Sequence, residues 1–163
     1  KSIEVYLSEI AQRDPTLVVP ADRDLLFQHL RASRAWRTYL VERVPVVTGE
    51  RITSAKLETD PDTNQSSVVF QLDRSGATTI FESSAHHAYR KLAIVVDGRV
   101  WAASIYGGPI RDGRISVSSH DDEAALVDPE PQDLVILLAS GELPGRLTYE
   151  VQARLVDGVP KDF

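Results

Sequence analysis

Five consecutive apolar residues, Leu92 to Val96 (LAIVV), run straight into Asp97-Gly98. A run this short and this uniformly apolar reads as a strand buried on both faces, so it demands a covering layer on each side. Asp97-Gly98 supplies the positive φ of a primed turn, which predicts a return strand over Val100 to Tyr106. Upstream, Val68, Phe70 and Leu72 alternate with Val69, Gln71 and Asp73, the period of a strand with one dominant apolar face. Asp73 is placed to cap a helix. Ala77, Ile80, Phe81, Ser84, Ala85 and Ala88 then fall at i, i+3, i+4, i+7, i+8 and i+11, one stripe of small and apolar residues. Arg90 and Lys91 follow where positive charge suits a helix C-terminus. Val68 to Val100 therefore reads as strand, helix, strand and turn, and the remaining chain adds layers to this unit.

Before this unit, Ser2 to Ile10 alternates as an amphipathic strand, and Leu17 to Val19 is a brief extended piece. Asp22 to Arg34 is predicted as a capped helix with Leu25, Leu26, His29 and Leu30 inward. Arg37 to Val44 reads as extended, with Tyr39 and Val41 on one face and Leu40 on the other. Pro45 to Glu50 is a loop or short link. Ile52 to Glu58 is an edge strand guarded by Lys56 and Glu58, followed by a hairpin loop over Asp60 to Ser67. After the return strand, Gly107-Gly108-Pro109 breaks the chain and Arg111-Asp112-Gly113 turns it. Ile115, Val117 and Ser119 form a strand. Pro131 opens a helix through Ser140 with Leu134, Leu137 and Leu138 as its stripe, widened by Val135 and Ile136, and Gly141 ends it. Leu147 to Val156 is the last strand, and Asp157 to Phe163 a tail. The predicted class is α+β: a mostly antiparallel sheet with helices on one face.

Composition narrows the function. The net charge of -6, with no basic stripe, argues against a nucleic-acid groove. Arg23, Arg31, Arg34 and Arg37 are diluted by Asp22, Asp24 and Glu42 and read as a solvated helix face. The absence of cysteine removes disulfides, zinc–thiolate sites and thiol nucleophiles together. With no methionine in the chain, Lys1 is not expected to be a translational start. No apolar run approaches the roughly 20 residues that span a bilayer.

Motifs of chemistry are weak. His86 and His87 are neighbours on a helix and point roughly 100° apart, so they chelate poorly; one partly buried and one exposed histidine is expected. His120-Asp121-Asp122-Glu123 lacks the alternating ligands and turn glycine of a calcium loop. Ser75-Gly76 and Ser140-Gly141 lack a nucleophile elbow, and Gly107-Gly108-Pro109 is followed by no phosphate-loop lysine. No carboxylate pair can be assigned as acid and base. Trp36 and Trp101 read as core or edge aromatics. A binding or scaffold domain without cofactor or metal is expected, not an enzyme.

The ordered words of the sequence carry a resemblance. Leu72-Asp73, Gly76-Ala77, Phe81, Leu92 to Val96, Asp97-Gly98-Arg99-Val100, Pro109-Ile110 and Gly141-Glu142-Leu143-Pro144 resemble the first large periplasmic domain of the SecD family of the SecDF protein-export complex. Pro45 to Glu50 (PVVTGE) resembles the segment that leads into it. The likeness spans about Pro45 to Leu147 and makes Asp73, Gly76, Asp97, Gly98, Pro109, Gly141 and Pro144 the family-motif positions. The chain departs from the pattern at Ala102-Ala103-Ser104, where the family tends to carry a proline, and at Ile115 to Ser119, where it carries glycines.

The resemblance implies a ferredoxin-like base with an inserted head: residues 1–67 base-like, 68–146 head-like, and 147–163 the return strand of the base and a tail. It further implies a place in the periplasm or on the outer face of the membrane, with membrane contact only through segments absent from this chain. The implied partners are unfolded preprotein and the Sec translocon. Ile105, Tyr106, Ile110 and Ile115 are the candidate preprotein-binding residues, with ordinary sheet core as their alternative. A stand-alone adaptor using His120 to Asp133 as its partner surface is the competing reading.

Overall fold

The computed structural model describes residues 19–30, 35–59, 61–62, 66–118, 130–140 and 146–149. Among these, the elements run β1 (Arg23–Leu30), β2 (Ala35–Glu42), β3 (Val47–Thr48), a 3-10 turn (Gly49–Arg51), β4 (Ile52–Thr59), β5 (Ser66–Leu72), α1 (Arg74–His86), β6 (Lys91–Val96), β7 (Arg99–Ile105), β8 (Arg114–Ser118), α2 (Pro131–Ser140) and β9 (Arg146–Tyr149). The strands form three antiparallel sheets: a β1-β2 ribbon, a β3-β9-β6-β7 sheet and a β4-β5-β8 sheet. The class is α+β, as the periods of the sequence predict. β3 and β9, far apart in sequence, lie in one sheet with β6.

The uniformly apolar β6 is covered on both sides. Leu92, Ile94 and Val96 join Leu147 and face Val68, Phe70 and Leu72 of β5 and Ile115 and Val117 of β8. Ile80 from α1 and Leu134 and Leu138 from α2 close this core, so both helices lie on the inner face of the β4-β5-β8 sheet. On the other side of β6, Ala93 and Val95, with Val100, pack under Tyr39 and Val41 of β2. Burial of each larger aliphatic side chain contributes about 1.5–3 kcal/mol. The β6-β7 register shifts between Ile94 and Val95, so Trp101 is the extra residue of a bulge, and its ring is buried in the main core.

Turns fix the strand order. Asp97 and Gly98 both adopt positive φ, +48° and +75°, as the primed-turn reading requires. Asp112 and Gly113 do the same at +60° and +63°. Gly113 has a second reason to be glycine: a Cβ there would stand 2.6 Å from the Cβ of Ala77 on α1.

Three readings of the sequence are corrected. The helix predicted from Asp22 is a strand over its described residues: Arg23–Leu30 is paired residue for residue with Ala35–Glu42. Leu25, Leu26, His29 and Leu30 satisfy a helical period, but Gln28 and Leu30 are the buried members, at a spacing of two. The partner strand decided the conformation, as tertiary context does for a weak local preference. His29 and Arg23 accordingly lie on a ribbon, and His29 stacks against the half-exposed Trp36 at 4.6 Å between ring centres. The stripe of α1 is narrower than predicted: Gly76, Ile80 and Ser84 are buried, while Phe81, Ala85 and Ala88 are exposed. Ile136 likewise faces outward, 67% exposed. The strand predicted over Ser2 to Ile10, the acidic segment up to Pro129, Gly141, Pro144 and the chain after Tyr149 lie outside the described residues.

The two turn glycines separate strain from crowding. Gly98→Ala meets open space and adds only the strain of left-handed backbone, about 1–2 kcal/mol. Gly113→Ala adds overpacking against Ala77 to the same strain, for a total of about 2–4 kcal/mol. Urea unfolding of the two variants is expected to show the larger loss at Gly113.

Candidate functional site

The N-terminus of α1 is pinned first, because it orients everything beyond it. The Asp73 carboxylate accepts the Gly76 N–H at 2.6 Å and an Arg51 guanidinium N–H at 3.1 Å. The Asp73 N–H donates to the Arg51 carbonyl at 2.7 Å. Gly76 lets the helix come close: a Cβ there would lie 3.0 Å from the Cβ of Arg51 and 3.2 Å from that of Leu72. The Gly76 N–H first, and the Arg51 guanidinium second, hold the Asp73 carboxyl below its ordinary acidity range.

Farther along α1, the loop after β7 is tied twice to the helix and once to the turn that follows it. The Tyr89 N–H donates to the Tyr106 carbonyl at 3.0 Å. The Ile110 N–H donates to the buried Ser84 hydroxyl at 2.8 Å, and that hydroxyl in turn donates to the Phe81 carbonyl at 3.2 Å. The Arg111 guanidinium lies 5.8 Å from the centre of the Phe81 ring. Tyr89 carries φ +65°, rare for a bulky residue, where the chain leaves the helix for β6.

This stretch separates the four expected contact residues. Ile110 and Ile115 are core residues, and Tyr106 packs against the same core with its hydroxyl donating to the Ser116 carbonyl at 3.3 Å. Burial pushes the Tyr106 phenol far above its usual range, so it stays a hydrogen-bond donor. Ile105 alone of the four is at the surface, 59% exposed. The alternation of a strand explains the split, since Ile105 and Tyr106 point to opposite sides. Pro109 is exposed beside the buried Ile110.

Sequence reasoning passed over two further surface residues here, Tyr89 at 75% and Phe81 at 39% exposure. The helical period puts Phe81 on the inward stripe, and nothing in the local sequence marks Tyr89. The signal available was the width of the stripe: six small and apolar positions exceed what one buried face of a helix needs.

The side chains exposed here offer apolar contact. Among the described residues, Asp73 and Glu58 have carboxyls with shifted acidity, and both are pushed down, Glu58 by Lys56 and Arg114. His86 is exposed and His87 half-buried, as their helical spacing predicts. Among the described residues no three histidine or acidic side chains converge as metal ligands. Among them, too, no helix is long and apolar enough to cross a membrane.

The family model for the SecDF P1 head subdomain matches residues 25–145. The chain belongs to this family. The chain is 36% identical over 124 residues to the protein translocase subunit SecD of Rhodobacter capsulatus, covering 72% of this chain and 20% of that protein. It is 31% identical over 136 residues to SecD of Aquifex aeolicus, covering 83% of this chain and 25% of the relative. The chain thus spans about a fifth to a quarter of the length of these relatives. A solved structure of SecDF, described as a membrane component that enhances protein export, superposes with a TM-score of 0.51 at 21% identity, over 71% of this chain and 49% of that one. At that identity the likeness is one of fold.

The cap at Asp73 makes stability depend on pH with a definite sign. A carboxyl held below its unfolded value, about 4, binds protons less readily when folded. Its contribution is therefore complete above the unfolded value and is lost as pH falls through the folded one. Asp73→Ala is expected to lower the thermal midpoint by a few degrees at neutral pH. The gap to the unaltered protein should narrow below about pH 4, which thermal melts across an acid series would check.

Proposed function

We propose that the head serves protein export on the outer face of the membrane as a non-enzymatic module that contacts unfolded preprotein beside the Sec translocon. Its membership of the SecDF P1 head family carries this reading. The surface adds a physical means. Ile105, Tyr89 and Phe81 each present a large apolar side chain at the surface, and the loop after β7 is tied to α1 by Ser84 and to the turn at Tyr89. Exposed aromatic and aliphatic groups of this kind hold an extended chain without reading its sequence, which suits clients of many sequences. Tyr106, Ile110 and Ile115 serve the core instead of the contact surface.

Site-specific photo-crosslinking tests the assignment. A photoreactive residue is placed at Ile105, Tyr89 or Phe81 of the native full-length protein in membrane vesicles, with a preprotein arrested in transit. Adducts with the preprotein are expected at these three positions and not at Ile136, which is also exposed but lies on α2. Adducts at none of the three would overturn the contact surface. Equal adducts at all four would leave contact with preprotein intact and refute its localisation.

A further inference from the structure

Most arginines of the described residues are matched to a carboxylate. Arg23, Arg43, Arg51, Arg90 and Arg114 each pair with one, at distances from 2.8 to 3.8 Å. Arg111 is exposed and pairs with none among the described residues; its guanidinium lies instead over the exposed Phe81 ring, at 5.8 Å. Glu82 and Asp112, next in sequence to the ring and to the arginine, do not neutralise it. Arg74 and Arg99 are also exposed and unpaired there, but neither lies over an aromatic ring of the described residues. A cation over a ring at an exposed site is a weak contact and uses none of the five guanidinium N–H donors.

The chain fixes the backbone of Arg111 from both sides. Before it, Ile110 is buried, and its N–H donates at 2.8 Å to the hydroxyl of Ser84, about one helical turn from Phe81. After it, the Gln71 amide donates to the Asp112 carbonyl at 2.5 Å, and Gly113 lies close against Ala77 of α1. Residues 110–113 are thus held to α1 and β5, and the arginine leaves them beside an exposed ring. Little ordering remains to be done when a partner arrives.

Taking Phe81 as a preprotein contact, as proposed above, we propose that Arg111 makes that contact charge-selective: client segments in which a carboxylate flanks an apolar residue are held there in preference to basic ones. The apolar side chain of the client lies on the Phe81 ring. The neighbouring carboxylate accepts from the guanidinium fork, whose parallel N–H donors match its two oxygens. A lysine or arginine in the same place meets like charge. The net charge of -6 repels acidic segments at a distance, so the preference is local to Arg111 and of short range. An exposed pair of this kind changes binding by a few-fold.

Matched clients test the preference. A photoreactive phenylalanine analogue, which keeps a ring in place, replaces Phe81 in the native full-length protein in membrane vesicles. A preprotein is arrested in transit with a tract of Leu-Asp, Leu-Asn or Leu-Lys repeats. Adduct yield per arrested chain is expected to fall in that order, roughly threefold at each step at low salt. Arg111→Gln should level the three yields, and Arg111→Glu should reverse their order. Raising the salt to about 0.5 M should bring the acidic and neutral tracts together. Equal yields with Arg111 in place would overturn the preference and leave the contact at Phe81 standing. An order that survives Arg111→Gln would overturn the role of Arg111. No preprotein adduct with any tract, or adducts with phospholipid alone, would overturn the preference together with the contact it rests on. Where a variant does not fold, the yields with Arg111 in place, at low and high salt, decide alone.

Discussion

Double-sided burial of β6 governs this structure. A strand of five apolar residues cannot lie at a surface, so two layers must assemble around it. The β4-β5-β8 sheet and both helices supply one layer, and the β1-β2 ribbon supplies the other. β9 and β7 complete the ladder on its two edges. The two covers are not equivalent. One is a full core closed by Ile80, Leu134 and Leu138; the other is a narrow contact over alanine and valine. Elements gathered from the whole length of the chain thus share one requirement, although only six residues, Lys91–Val96, impose it.

Close approach is the second constraint, and it sets where α1 lies. Gly76 brings the helix against Arg51 and Leu72, while Gly113 brings the β8 turn against Ala77. The Leu72 N–H reaches the Gly113 carbonyl at 3.0 Å, so strand, helix and turn meet at one corner. Asp73 joins that corner to the 3-10 turn through Arg51. The rest of α1 follows from this placement: Ile80 and Ser84 turn inward, and Phe81 is carried outward with Tyr89. The exposure of Phe81 and Tyr89 is therefore a by-product of how the corner is built.

Much of this was legible in the chain. The periods of β4, β5, β6 and β7, the cap at Asp73, the turn at Asp97-Gly98 and the start of α2 at Pro131 are local features, and each appears where its residues predict. The ordered family words around them were enough to place the chain in its family. The candidate contact set was less legible. Ile105, Tyr106, Ile110 and Ile115 all carry apolar side chains near one another in sequence, and hydropathy gives them the same rank. Their burial depends on tertiary packing that no local pattern encodes.

The helix expected over Asp22 to Arg34 marks the same boundary from the other side. Its leucines fit a period of 3.6 as well as one of 2, and local preference could not choose between them. Pairing with Ala35–Glu42 over a face of β6 chose. The sequence by itself determined which segments form strands, helices and turns wherever a local signal was unambiguous, because capping, turn geometry and hydrophobic period act within a few residues. Only the tertiary structure decided which apolar residues are core and which are surface, and whether an ambiguous segment extends or coils. Those outcomes depend on which faces meet, and faces meet across long separations in sequence.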